Sequence, residues 1–223
     1  MPSLNHLSHR YFEREAARFD AIYQDRKPLV QRLVDALFRR VIQRRYQLVV
    51  NAVSAPGRSI LDVGCGSGRY GIELARRGAS RSVGVDAAAA MIALAQSEAQ
   101  RQGLSDRCIW EVAEFLSWKN QETFDVVTAL GYFDYLEEPE PHLERMIAQA
   151  RSLVFASFPK RWELRAPLRK LRFTLAGAYV RFYSKAEARA LFQRIGGLPF
   201  LALIDLGRDY IAIFDVGSFR RRA

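Results

Sequence analysis

An α/β fold with a mostly parallel sheet is predicted, on three observations. Short apolar runs alternate with helical ones from Ser59 onward, the pattern of strand–helix–strand units. The first run, Ile60, Leu61 and Val63, suits a strand buried on both faces, and it leads into Gly64, Gly66 and Gly68 at every second position. A second run, Arg81-Ser-Val-Gly-Val, ends on Asp86, an acid about 20 residues past the glycines. Glycines between a strand and a helix let the backbone turn sharply and approach a ligand with no Cβ in the way. Ile72-Glu-Leu-Ala-Arg-Arg then reads as a helix whose N-terminal amides and dipole point back at that ligand, and Gly78 ends it.

Two registers compete for this unit. Gly66, Gly68 and Gly71 fit G-x-G-x-x-G, the dinucleotide fingerprint of an NAD(P)-binding oxidoreductase. The other register is Asp62-x-Gly64-x-Gly66-x-Gly68, with an acid inside the strand end. Leu61 to Gly68 resembles motif I of the class I S-adenosylmethionine (SAM)-dependent methyltransferases, in its Leu-Asp-x-Gly-Cys-Gly-x-Gly form. A carboxylate there suits a cofactor that ends in an ammonium group, and suits a pyrophosphate less. The methyltransferase register is the stronger.

That resemblance covers about residues 50 to 215 and implies the Rossmann-like class I methyltransferase fold. Its sheet is mostly parallel and seven-stranded, closed by a C-terminal antiparallel hairpin. It also implies SAM as cofactor. On this basis Asp62, Gly64, Cys65, Gly66 and Gly68 form the glycine loop, with Cys65 as the small residue against the cofactor. Asp86 is expected at the ribose hydroxyls, with Ala87 and Met91 following it. Ala113 and Glu114 resemble the tip that bonds the adenine amino group, where the family more often has Asp than Glu. Leu130, in the Ala129 to Gly131 stretch, is expected at the methionine part.

The chain has 223 residues, 49% of them apolar, enough for one domain with a full core and a modest cap. No apolar run reaches 18 residues, and Met1 to Arg10 lacks the hydrophobic centre of a secretory signal. Two cysteines, Cys65 and Cys108, do not suggest a disulfide scaffold, so a reduced, cytoplasmic setting is the default. A net charge of +10 favours anionic partners: nucleic acid, the inner membrane face or an acidic substrate. Arginines spread over a solvated surface explain it equally.

Residues 1–50 read as a helical N-terminal extension and 51–223 as the SAM-binding domain. In the extension, Tyr11-Phe-Glu-Arg-Glu-Ala-Ala-Arg-Phe-Asp-Ala-Ile-Tyr resembles a segment that folds over the cofactor in small-molecule methyltransferases, which singles out Tyr11, Phe19 and Tyr23. A plain amphipathic helix packed on the domain is the other reading. From Leu29 to about Ala52 the pattern is helical again, with Arg39, Arg40, Arg44 and Arg45 either facing anionic lipid or forming a solvated face.

Past Asp86, Ala87 to Gln102 reads as a helix, Arg107 to Val112 as a strand and Thr123 to Leu130 as another. His142 to Arg151 forms the next helix, and Leu153 to Pro159 the fifth strand. Residues 160–183, dense in Arg, Leu and aromatics, exceed what a connection needs and are expected to form a substrate lid. Nucleic-acid or lipid contact and a solvated cap are the rivals. Ser184 with Glu187 forms a capping box for a helix to Ile195. Leu198 to Ile204 and Tyr210 to Val216 resemble the closing antiparallel pair.

The resemblance implies transfer of a sulfonium methyl to a small-molecule acceptor, acidic or amphipathic, with O-methylation favoured over N or C. Nucleic-acid methylation is disfavoured, because Gly131-Tyr-Phe-Asp-Tyr lacks the Asn/Asp-Pro-Pro-Tyr/Phe signature of amino-methylating DNA enzymes. A membrane-surface enzyme with a lipid-like substrate is a further alternative. The fifth strand and the insertion also resemble, distantly, magnesium-protoporphyrin methyltransferases. No Cys/His spacing suggests a metal. No catalytic base stands out; the candidates are Asp134, Tyr135, His142, Tyr183 and Asp209.

Overall fold

The computed structural model describes residues 13, 43–53, 56–161, 174, 179–195 and 200–221. At its centre lies β1 (Ser59–Val63), whose Ile60, Leu61 and Val63 are buried because helices cover both faces of the sheet. β1 pairs in parallel with β2 (Arg81–Asp86) on one side and β4 (Phe124–Ala129) on the other. β3 (Cys108–Val112) extends the sheet beyond β2, and β5 (Ala150–Pro159) beyond β4, both in parallel. β7 (Asp209–Asp215) then runs antiparallel to β5, and β6 (Phe200–Asp205) antiparallel to β7. The order is β3-β2-β1-β4-β5-β7-β6, the seven-stranded sheet and closing hairpin expected from the sequence. Strand placement reverses between β1 and β4, and in open α/β sheets a ligand crevice forms outside the carboxyl ends at such a point.

One face carries α1 (residues 43–53), α2 (Arg69–Arg76) and α3 (Ala89–Arg101). Val49, Val50 and Val53 of α1 pack there on Ile60, Val126, Phe155 and Ile211. The other face takes α4 (Pro139–Gln149) and α5 (Lys185–Arg194), through Leu143, Met146, Ala188 and Leu191 over Leu61, Val127 and Val154. A short α6 (Val216–Arg220), absent from the sequence reading, follows β7.

Several boundaries differ from expectation for local reasons. α4 starts at Pro139 rather than His142, because a proline at the first helical position gives up no hydrogen bond. It stops at Gln149 because Ala150 already pairs with Phe124, so β5 is longer than the Leu153 to Pro159 run. α1 runs unbroken through positions 50 and 51, where the sequence divides extension from domain, and its valines belong to the domain core. The capping box forms as read: Ser184 Oγ accepts from Glu187 N at 3.1 Å, and Glu187 Oε2 accepts from Ser184 N at 2.7 Å. Tyr11, Phe19, Tyr23 and most of 160–183 lie outside the described residues. No helix among the described residues is long and apolar enough to cross a membrane.

Candidate functional site

The glycine loop hangs from the end of β2. Gly64 N and Cys65 N both donate to Val85 O, at 2.8 and 3.2 Å. Gly64, Gly66 and Gly68 all have positive φ, at 64°, 53° and 76°. At Gly66 a Cβ would have nothing within 4 Å, so the loop presents bare backbone to an open space. Gly68 is set by packing instead: a Cβ there would stand 2.5 Å from the Trp110 ring, which also lies against Gly71 and Gly84. Gly71 of the dinucleotide register has a packing role as well: a Cβ there would stand 2.6 Å from Ser82 Oγ and 3.2 Å from Trp110.

Asp86 closes the loop from the side. Its Oδ2 accepts from Gly66 N and its Oδ1 from Ala88 N, each at 2.9 Å. Ala113 N donates to Asp86 O at 3.0 Å, which fixes the Ala113–Glu114 tip beside β2, with the Glu114 side chain exposed. Glu13, from the N-terminal segment, approaches the start of α3 and accepts from Ala90 N at 3.4 Å.

Asp62, at the end of β1, is buried. Its Oδ1 accepts from Thr128 Oγ1 at 2.7 Å, while Oδ2 has no hydrogen-bond partner among the described residues. Burial pushes its pKa up to about 7, with the nearby Asp86 charge adding to the rise against the Thr128 hydroxyl. On the other side of the crevice stands Arg45, from α1. Its Nε donates to Tyr70 Oη and its Nη1 to Asp209 Oδ2, both at 3.1 Å. Burial alone would lower the guanidinium pKa, but Tyr70 and Asp209 outweigh it and hold the group charged. Arg45 faces the Gly131 turn at the end of β4, where a Cβ would stand 3.8 Å from Nη1 and Nη2.

Tyr132 lies across the loop: a Cβ on Gly64 would stand 2.4 Å from its ring. Its hydroxyl shares a hydrogen bond of 2.8 Å with His142 Nδ1. Burial, and after it the nearby Arg145, lowers the His142 pKa to about 4, so the ring is neutral at pH 7. Burial also raises the Tyr132 phenol well above its usual range.

This arrangement, an acid-ended β1, bare glycine backbone and an acid at the tip of β2 around a switch-point crevice, agrees with the comparisons. A family model described as a methyltransferase domain matches residues 60–155. That match spans under half of the chain and marks residues 60–155 as similar to a methyltransferase domain. The cofactor that the sequence resemblance implies is SAM. A ubiquinone biosynthesis O-methyltransferase of Pseudomonas fluorescens is 29% identical over 154 residues, 68% of this chain and 59% of that protein. A 23S rRNA (uracil(1939)-C(5))-methyltransferase of Azoarcus is 36% identical over 123 residues, 55% of this chain and 26% of that one. The chain thus spans well under two thirds of these relatives' length. In fold it is similar to the magnesium protoporphyrin IX methyltransferase of Synechocystis, solved with bound S-adenosylhomocysteine: TM-score 0.76, 19% identity, covering 96% of this chain and 99% of that one.

The residues of the methyltransferase crevice fit that cofactor on three counts: the orphaned Asp62 Oδ2, the bare backbone at Gly66, and the Asp86 carboxylate beside it. Of the other predicted residues, Cys65 is buried with its thiol 2.8 Å from where a Gly84 Cβ would stand, beneath the loop. Ala87 is half-buried, Met91 packs on Ala88 under α3, and Leu130 is buried with α1 and Tyr70. Asp134 and Tyr135 share the short turn Phe133–Tyr135, Asp134 buried and Tyr135 half-buried. Tyr183 Oη donates to Phe133 O at 3.3 Å. Among the described residues no His/Cys/Asp/Glu group is arranged to hold a metal ion.

Arg45, Tyr70 and Tyr132 were not foreseen. Arg45 is one of several arginines on its helix, and spacing does not say which points inward. Tyr70 and Tyr132 each follow a glycine turn within a few residues, a position from which a side chain can fold back over the loop.

Proposed function

We propose that this chain transfers the methyl group of SAM to a small-molecule acceptor, with oxygen the preferred acceptor atom. The observation that carries the reading is the Asp62–Gly66–Asp86 constellation at the switch point. Bound SAM supplies a sulfonium methyl group to a nucleophile held in line with it. In our assignment Asp86 meets the ribose hydroxyls, with Ala87 and Met91 behind it, and the Ala113–Glu114 tip meets the adenine amino group. Gly64, Cys65, Gly66 and Gly68 give the close-approach surface, and Leu130 and Asp62 border the methionine end.

The chain's own contribution is chiefly positioning and exclusion of water, and positioning is worth about 7–11 kcal/mol where geometry is ideal. We assign the segment before α1, with Tyr11, Phe19 and Tyr23, as a cap, and 160–183 as the lid on the acceptor side. A hydroxyl acceptor must lose a proton. Asp134 is our assignment for that base: it is buried in the turn Phe133–Tyr135 that follows β4.

Support for a small acceptor comes from relatives and neighbours whose names specify ubiquinone biosynthesis and magnesium protoporphyrin IX. The RNA methyltransferase relative and the +10 charge favour a second reading, RNA as acceptor. Methyl-labelled SAM incubated with a whole-cell extract separates them. Label is expected in the organic-extractable small-molecule fraction; label confined to RNA at physiological salt overturns the small-molecule reading. Tight NAD binding without SAM binding overturns the whole assignment.

A further inference from the structure

The sheet has two edges, β3 and β6, and they differ as templates for a further strand. β6 is irregular where its register with β7 shifts between Phe200 and Ala202, and a break of that kind turns an edge away from new partners. β3 pairs with β2 on one side without any shift, and its sequence Cys108-Ile-Trp-Glu-Val holds no lysine and no proline. Apolar surface gathers at the same edge. Of the five large apolar side chains exposed among the described residues, three lie here: Ile109 at 42%, Val112 at 54% and Leu116 at 45%. A regular, apolar, uncovered edge is a ready site for strand addition.

The charges along this edge indicate what strand it fits. Arg107 O accepts from Ser82 N at 2.7 Å, so residues of that parity turn their peptide groups to β2, while Cys108, Trp110 and Val112 turn theirs outward. Side chains alternate in the same way. Trp110 lies against Gly68, Gly71 and Gly84, and Glu111 is on the opposite face, where its Oε2 accepts from Trp118 Nε1 at 2.7 Å. Ile109 and Arg107 share the face of Glu111 by the alternation. Arg107 is exposed, and no ion pair joins Arg107 or Glu111 to another described residue. A cation, an apolar side chain and an acid at every second position complement themselves when the strand is reversed. With a twofold axis at Ile109, Arg107 falls opposite the partner's Glu111, twice, and Ile109 opposite the partner's Ile109. Opposite charges and apolar pairs across neighbouring strands are favourable. The outward peptide groups of Cys108 and Trp110 then oppose each other, as an antiparallel ladder requires. An axis at Trp110 would instead set Ile109 against the partner's Glu111.

We propose that a second copy of this chain occupies the β3 edge, antiparallel about a twofold axis at Ile109, joining the two seven-stranded sheets into one continuous sheet. Apolar contact at Ile109 and the ladder hydrogen bonds supply the attraction, and the exposed Arg107–Glu111 pairs set the register. The inference stands apart from the methyl-transfer reading, since it uses no residue of the crevice. It has one consequence there: β3 leads directly into the Ala113–Glu114 tip, so the dimer braces the strand that carries the tip.

Analytical ultracentrifugation of the full chain over a range of concentrations is expected to show a monomer–dimer equilibrium. Arg107→Glu and Glu111→Arg should each weaken the dimer at least tenfold, because each sets like charges opposite each other twice. Mixed one to one, the two variants should dimerise as the native chain does, since the mixed pair restores both opposed charges. Two folded variants that stay monomeric when mixed overturn the proposal. Ile109→Cys tests the register without touching Glu111, which Trp118 needs as an acceptor. Directly opposed residues of this kind have Cα atoms about 4.5 Å apart, within reach of a disulfide. Mild oxidation should therefore link Ile109→Cys into a covalent dimer. Val112→Cys, about 20 Å from its own copy along the strands at 3.4 Å per residue, should stay unlinked. Equal linking at the two positions overturns the proposal. So does a native chain that remains monomeric at every concentration, as it would if another segment of the same chain covered the edge.

Discussion

Asp86 Oδ2 accepts the amide hydrogen of Gly66 at 2.9 Å, linking the tip of β2 to the middle of the glycine loop across twenty positions of sequence. The same carboxylate accepts from Ala88 N, so it sets both the loop and the entry into α3. Asp86→Ala is therefore expected to act twice. SAM affinity should fall by about 1–3 kcal/mol, through loss of a charged acceptor. The melting temperature of the ligand-free protein should also fall, because two backbone amides lose their partner. A variant with unchanged calorimetric affinity for SAM would exclude Asp86 from the ribose subsite.

Gly64 and Gly66 share a left-handed backbone but differ in surroundings. Alanine at Gly66 meets open space, so it should cost only the conformational penalty, about 1–2 kcal/mol. Alanine at Gly64 also drives a methyl group into the Tyr132 ring and should cost more. In a double-mutant cycle by chemical denaturation, Tyr132→Ala should relieve part of the Gly64→Ala loss and none of the Gly66→Ala loss. Equal coupling at the two positions would mean that Tyr132 does not rest on Gly64.

Asp62 predicts opposite pH trends for stability and for binding. Burial raises its carboxyl pKa to about 7 in the folded state, against 3.8 for an ordinary aspartate, so the native state holds the proton through that window and the unfolded state does not. The ligand-free protein should lose stability as pH rises from about 4 to 7, by about 2–4 kcal/mol from this group. An ammonium-bearing ligand prefers the ionised carboxylate, so SAM should bind more weakly as pH falls below 7. Asp62→Asn should flatten both profiles and raise ligand-free stability at pH 8. A SAM affinity that does not vary between pH 5.5 and 8 would contradict the pairing of Asp62 with the ammonium.

The strand–loop–strand unit from Ser59 to Asp86 was legible because its signals are local: an apolar run, glycines at fixed offsets, an acid at a strand tip. The capping box at Ser184 and Glu187 was legible for the same reason. Arg45, Tyr70 and Asp209 meet across more than 160 positions, and that convergence follows from sheet order rather than from any nearby residue. Trp110 is a similar case. It crowds out a Cβ at Gly68 and Gly84, yet in sequence it is only an aromatic in a strand. The glycine pattern alone therefore mixes two causes, open backbone at Gly66 and indole packing at Gly68.

At the opposite end of the sheet, Arg151 joins three strands, with Nε on Asp125 Oδ1 at 3.0 Å, Nη1 on Thr123 O at 2.8 Å and Nη2 on Ser59 Oγ at 2.8 Å. Asp125 Oδ2 in turn accepts from Ser59 N at 2.8 Å and from Ser59 Oγ at 2.9 Å. Partial burial would raise the Asp125 carboxyl, but Arg151 and the Ser59 donors outweigh it and lower its pKa to about 2. A depressed carboxyl contributes stability above its unfolded value near 4 and loses it as pH falls towards 2. With a third of the side chain exposed, solvent screening leaves roughly 1 kcal/mol for the pair at neutral pH. Asp125→Asn and Arg151→Ala should each lower stability by about that amount at pH 7 and lose less than the native chain between pH 4 and 2. Combined, they should cost less than the sum, because both remove the same link between β1, β4 and β5. Full additivity in urea denaturation would show that the two residues act independently, and that the bridge is not what holds the three strand ends together.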